Sequence, residues 1–116
     1  SRIDRLNLMK IKFTHNTNKI ILESKDCLIL FRIIQESINN VLKHSRAKNM
    51  TISLQDEPRF VEIILSDDGI GFNENKHKSG SGLMSMKKRA NLIQTDLDVN
   101  TIIGEGTTIT IKYNKN

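Results

Sequence analysis

Tryptophan is absent from this chain of 116 residues, and tyrosine occurs only once. With aromatics at 4%, the ring platforms that stack single-stranded nucleic acid are scarce. Cysteine also occurs once, at Cys27, which excludes an intramolecular disulfide and a cysteine metal cluster. A lone thiol fits a reducing compartment. No run of eighteen apolar residues exists, so no stretch reads as a membrane-spanning helix. No signal peptide is legible. The single proline, Pro58, lies between two apolar runs, where a turn would have it.

Charged residues make up 27% and hydrophobic residues 37%, the balance of a soluble globular protein rather than a disordered one. The length suits one domain around one core, residues 1–116. A net charge of +5 suits nucleic acid, an anionic membrane or a phosphate ligand. The basic residues are scattered, with local groups only at Lys76-His77-Lys78 and Lys87-Lys88-Arg89. Together with the shortage of aromatics, that argues against nucleic acid. The chain opens on Ser1-Arg2-Ile3 without methionine and is expected to be a piece of a longer protein.

Met9, Ile11 and Phe13 alternate with Lys10 and Lys12, as in a short half-buried strand. Leu28 to His44 is the longest helix candidate, with Leu30, Phe31, Ile34, Ile38, Val41 and Leu42 on one arc. Asp26 reads as its N-cap. Met50 to Leu54 and Phe60 to Ser66 read as a hairpin. Asn73 to Ser81 has almost no apolar side chain and reads as a mobile loop. Leu83, Met86, Ala90 and Ile93 recur at helical spacing. Leu97 to Ile102 and Thr107 to Tyr113 flank Gly104-Glu105-Gly106 as a closing hairpin. This order of elements predicts an α+β fold, a two-layer α/β sandwich with a mixed, mostly antiparallel sheet.

Four segments carry chemistry. On the helix, Glu36, Asn40 and Lys43 are spaced i, i+4, i+7 and share one face. Such a face is ordinarily a solvated one. It also gathers a carboxylate, an amide oxygen and an ammonium of the kind that serve a metal and phosphates. Next, an apolar run ends in Asp67-Asp68-Gly69-Ile70-Gly71, placing an acceptor at a strand end beside a glycine turn. Asp-Gly is also a common plain turn pair. Third, Gly80-Ser81-Gly82-Leu83 precedes a helix, where successive N–H groups attract anions. The same glycines serve equally as hinges of a lid. Last, Gly106-Thr107 opens the final strand, where the hydroxyl either reaches a ligand or caps a turn.

In this order the four segments resemble the nucleotide-binding boxes of the GHKL ATPases, the superfamily of DNA gyrase B, heat-shock chaperone ATPases, mismatch-repair proteins and histidine kinases. The string from Ile34 to Ala47 and the stretch from Gly82 to Ala90 are similar to sensor histidine kinases of the nitrate/nitrite-sensor type. The resemblance implies a Bergerat-type ATP-binding fold and a catalytic domain that uses ATP and Mg²⁺. It implies Asn40 as the Mg²⁺ ligand and Glu36 as the catalytic carboxylate that orients or deprotonates an attacking group. Lys43 and His44 would lie near the phosphates, and Asp67 would accept from the adenine amine. Gly69, Ile70 and Gly71 would shape the pocket, Gly80, Gly82 and Leu83 would form the lid end, and Thr107 would help hold the base. The chain departs from the family at Ser81, where histidine is frequent. It departs again at Ile93-Gln94-Thr95-Asp96, where a Gly-Gly pair is common, and it lacks the usual proline after Tyr113.

The only histidines are His15, His44 and His77, and none lies in a long dimerising helix. The phosphoacceptor is therefore expected on an upstream dimerisation domain, with a response regulator as the onward partner. The fragment is expected to be a cytoplasmic monomer and the full-length kinase a homodimer, with a membrane anchor elsewhere left open. A regulatory module of the same fold, such as an anti-sigma-factor serine kinase, is the alternative. A basic nucleic-acid-binding domain is the more distant one.

Overall fold

The computed structural model describes residues 9–71 and 82–115. Among the described residues, five strands and two α-helices form two layers. β1 spans Lys10–His15, α1 Ser24–Asn40, β2 Asn49–Asp56, β3 Phe60–Asp67, α2 Gly82–Leu92, β4 Thr95–Ile102 and β5 Gly106–Asn114. The sheet order is β1-β2-β3-β5-β4, with β1 parallel to β2 and every other pair antiparallel. This is the mixed, mostly antiparallel sandwich that the element order predicts.

Alternation in the strands builds one apolar face, and the registers line it up in rungs. Ile52, Leu65, Ile109 and Val99 form one rung, and Leu54, Ile63, Ile111 and Leu97 the next. Leu30 and Ile33 from α1 and Val41 just after it, with Leu83, Met86 and Ala90 from α2, complete the core above them. Burying such side chains is worth roughly 1.5–3 kcal/mol each before entropy is counted. The helical spacing of Leu83, Met86, Ala90 and Ile93 is borne out, since all four are buried.

Three local expectations are corrected. α1 begins at Ser24 with Glu23 at the N-cap, so Asp26 falls in its first turn. Asp26 is engaged instead by the Tyr113 hydroxyl, which donates to Oδ2 at 2.5 Å. The buried residues of α1 are Leu30, Ile33 and Ser37, followed by Val41 just past its end, while Phe31 and Leu42 stay 58% and 60% exposed. An apolar arc does not say which of its edges meets the core. Here Ser37 marks that edge: its hydroxyl donates to the Ile33 carbonyl at 2.8 Å and contacts Met86 Sδ at 3.1 Å. The small, self-satisfied side chain lets α2 approach.

β1 is the third case. All six of its residues are exposed, with Ile11 at 52% and Phe13 at 56%. Their register partners Met50 and Ile52 are buried, so the two side chains point to the core side of the sheet but sit on its edge strand. The expected loop Asn73 to Ser81 lies outside the described residues.

A candidate nucleotide site at the end of β3

The inner face of the sheet turns polar at one end. Val61, Ile63, Leu65 and Asp67 alternate inward along β3, and all are buried. Asp67 pairs with Thr107 on β5, and Thr107 with Thr101 on β4. After the apolar rungs, this rung carries a carboxylate and two hydroxyls. A buried polar group is costly unless it is paired. Asp67 Oδ1 accepts from the Gly69 N–H at 2.8 Å, and the backbone N–H of Thr107 also serves the carboxylate. Burial nevertheless outweighs these bonds and raises the Asp67 pKa above its ordinary value. Thr107 is 7% exposed, and its hydroxyl lies 2.9 Å from that of Thr101.

Asp68, next in the chain, faces the other way. Its Oδ1 accepts from the backbone N–H of Lys48 and of Asn49, each at 2.9 Å. Its Oδ2 accepts from Asn49 Nδ2 at 2.8 Å. The bonds from Asn49 hold its pKa below the ordinary carboxylate range. This clamp fixes the start of β2 against the end of β3. Because only three peptide links separate Ser45 from Lys48, the end of the Val41–Ser45 turn that follows α1 is held within about 11 Å of the clamp.

The turn after Asp67 is closed by the β4–β5 hairpin. Gly104 donates its N–H to the Ile70 carbonyl at 2.7 Å. Gly71 adopts φ 69°, and a Cβ there would lie 2.4 Å from the Ile102 carbonyl oxygen. Only glycine allows that approach. Gly69 is buried, and Ile70 is 47% exposed at the lip of the turn.

The helix residues divide. Glu36 and Asn40 lie on α1, both half-buried. Lys43 lies beyond the end of the helix that carries them. The α-helix ends at Asn40, and Val41–Ser45 forms a π-helical turn in which 100° per residue no longer holds. Lys43 is exposed there. The side chain of His44 lies outside what is described, as does Gly80. Gly82 opens α2, and Leu83 is buried in the core beneath it. Sequence reasoning passed over Asp68 with Asn49, and also Thr101. The signal for Thr101 was available in principle: it is polar at an inward position of a strand.

Residues 25–116 match the family described as histidine kinase-, DNA gyrase B-, and HSP90-like ATPase. The chain belongs to that family. It is 39% identical over 88 residues to the signal transduction histidine-protein kinase/phosphatase DegS of Bacillus subtilis (strain 168), covering 72% of this chain and 23% of that protein. DegS of Brevibacillus brevis is 34% identical over 85 residues, with 72% and 22% covered. The chain thus spans less than a quarter of the length of these two curated relatives. Among solved structures, the Acinetobacter baumannii histidine kinase AdeS superposes with a TM-score of 0.76 at 16% identity, over 99% of this chain and 58% of that one. The mycobacterial sensor histidine kinase MprB gives 0.70 at 21% identity, over 97% and 85%. These likenesses bear out the fold. Among the described residues no helix is long and apolar enough to cross a membrane.

Proposed function

We propose that this chain is the catalytic ATP-binding domain of a longer sensor histidine kinase, occupying residues 1–116 of the sequence given. It would donate the γ-phosphoryl group of ATP to a histidine on an upstream dimerisation domain, for relay to a response regulator. The observation that carries the reading is the buried Asp67 carboxylate at the end of β3, held by the Gly69 and Thr107 N–H groups in a family of ATPases. An acceptor in that position suits the exocyclic amine of adenine. Gly71 gives the close backbone approach beside it.

Glu36 and Asn40 would face the triphosphate from one turn of α1. Among the described residues no three His, Cys, Asp or Glu side chains gather as a metal site. Mg²⁺ fits such a chain, because it needs only one or two protein oxygens when phosphates and water complete its shell. Asn40 would be the protein ligand, and a bound Mg²⁺ would neutralise charge on the phosphates. Lys43 and His44 would add positive charge near them. Glu36 would orient or deprotonate the attacking group. Gly80, Gly82 and Leu83 would belong to a lid, and Ile70 would pack at the lip of the base pocket. The domain would be cytoplasmic and monomeric alone, and the full-length kinase a homodimer.

Calorimetric titration with ADP and ATP, with and without Mg²⁺, tests the site. Binding is expected for both nucleotides. Asp67→Asn should weaken it by roughly 1.5–3 kcal/mol, the worth of a charge-assisted bond, with the thermal melt retained. No heat with either nucleotide on folded protein would overturn the reading.

A further inference from the structure

Asp67, Thr107 and Thr101 stand side by side on three paired strands, on the same face of the sheet. The next inward residues along these strands, Leu65, Ile109 and Val99, are all apolar. The first two members of the polar rung already have a place in the base site. Thr101 completes the rung through the 2.9 Å contact between its hydroxyl and that of Thr107. It also stands at the tight turn, since a Cβ on Gly71 would lie 3.1 Å from its Oγ1.

We propose that Thr101 is a positioning residue that sets the direction of the Thr107 hydroxyl, and so helps select adenine. This rests on the ATP-site reading above. A hydroxyl has one proton to give and two lone pairs. If the Asp67 carboxylate accepts a hydrogen bond from the exocyclic amine, the ring nitrogen beside that amine needs a donor. Thr107 is the neighbouring hydroxyl able to supply one, directly or through a water. It can give its proton outward only if it does not give it to Thr101. Thr101 must therefore donate to Thr107 Oγ1, which holds the Thr107 rotor and leaves its proton for the base. Carboxylate and hydroxyl then present one acceptor and one donor side by side, which complements the amine and ring nitrogen of adenine. Guanine offers the reverse pattern on that edge.

The test compares ADP with an analogue in which the ring nitrogen beside the amine is replaced by C–H, titrated against the unmodified domain, Thr101→Val and Thr101→Ser. Valine keeps the shape and suits a strand but removes the donor. Loss of one neutral hydrogen bond predicts that Thr101→Val weakens ADP binding about three- to tenfold. The analogue should lose less than about twofold, because it cannot use the Thr107 proton. Thr101→Ser should return ADP binding to within about twofold of the unmodified domain. Equal weakening of ADP and analogue in Thr101→Val would point to general damage and overturn the proposal. So would unchanged ADP binding in Thr101→Val alongside a loss in Asp67→Asn, which would leave the ATP-site reading standing. Failure of the unmodified domain to bind ADP would overturn both.

Discussion

Gly106 approaches Asp67 so closely that a Cβ at position 106 would lie 2.0 Å from the Asp67 carbonyl oxygen. The glycine also adopts φ 116°, which side-chain-bearing residues rarely take. The last strand is thus seated against the backbone of the carboxylate it serves. Gly106→Ala should cost roughly 2–4 kcal/mol of stability, from overpacking and backbone strain together. Gly104→Ala is the comparison: φ is 88°, but no atom lies within 4 Å of its Cβ position, so only the strain of about 1–2 kcal/mol remains. Urea denaturation of both variants checks the order. Equal losses would mean that the approach to Asp67 relaxes easily.

Asp67 and Asp68 should act on stability in opposite senses as pH changes. The Asp67 pKa is raised by burial, so the folded state holds its proton more tightly than the unfolded chain. Its contribution is greatest below the ordinary value of 3.8 and falls as pH rises through the raised value. The Asp68 pKa is lowered, chiefly by bonds from Asn49. Its contribution is full above 3.8 and is lost as pH falls through the lowered value. Thermal melts across the acid range should therefore rise with pH more steeply in Asp67→Asn than in the unmodified domain. In Asp68→Asn they should be flatter on the most acid side. Parallel curves for all three proteins would contradict the assignment.

Tyr113 is the only tyrosine and there is no tryptophan, so its ionisation can be followed directly by ultraviolet absorbance. The hydrogen bond to Asp26, with burial and the nearby carboxylate charges, pushes its pKa from 10.0 up to about 12. The stabilisation that accompanies this shift is present below pH 10.0 and lost as pH rises through about 12. Asp26→Asn should bring the absorbance midpoint down. Tyr113→Phe should cost about 1 kcal/mol near neutral pH. A midpoint unchanged in Asp26→Asn would refute the coupling between α1 and β5.

Gln94 takes a left-handed φ of 51° in the turn between α2 and β4. Its carbonyl accepts from Asn114 Nδ2 at 3.1 Å, a bond that does not need the glutamine side chain. Gln94→Gly should therefore stabilise the domain by roughly 0.5–1 kcal/mol, since glycine removes the steric strain at some cost in chain entropy. A raised melting temperature with unchanged nucleotide binding is the expected result.

Asn40 and Glu36 should separate metal binding from chemistry. Asn40→Ala is expected to depress ATP–Mg²⁺ binding more than metal-free ADP binding. Glu36→Ala should spare both but slow phosphoryl transfer in a longer chain that carries the acceptor histidine. A metal ligand acts already in the ground state, whereas an orienting carboxylate acts mainly in the transition state. Full autophosphorylation in both variants would make this face of α1 an ordinary solvated surface.

Local pattern settled much of this domain without tertiary contacts. Alternation along Val61, Ile63 and Leu65 carries Asp67 to the buried side by parity alone, and period 3.6 carries Leu83, Met86 and Ala90 to the core. The Asp67-x-Gly69-x-Gly71 string marked a strand end and a tight turn because both are short-range properties of residue type. What lay beyond sequence were the outcomes of pairing between distant segments. The register of β5 against β3 and β4 joins Asp67, Thr107 and Thr101 in one rung, and no local signal sets that register. Asp26 looked like a cap because capping is local, yet Tyr113 reached it from 87 residues away. The π-helical turn put Lys43 beyond the regular helix that carries Glu36 and Asn40, since a backbone winding change is invisible to a count of spacings. The exposure of Ile11 and Phe13 depended on their strand lying at the sheet edge. Alternation can say that such residues share a face, but only the packed neighbours decide whether that face is covered.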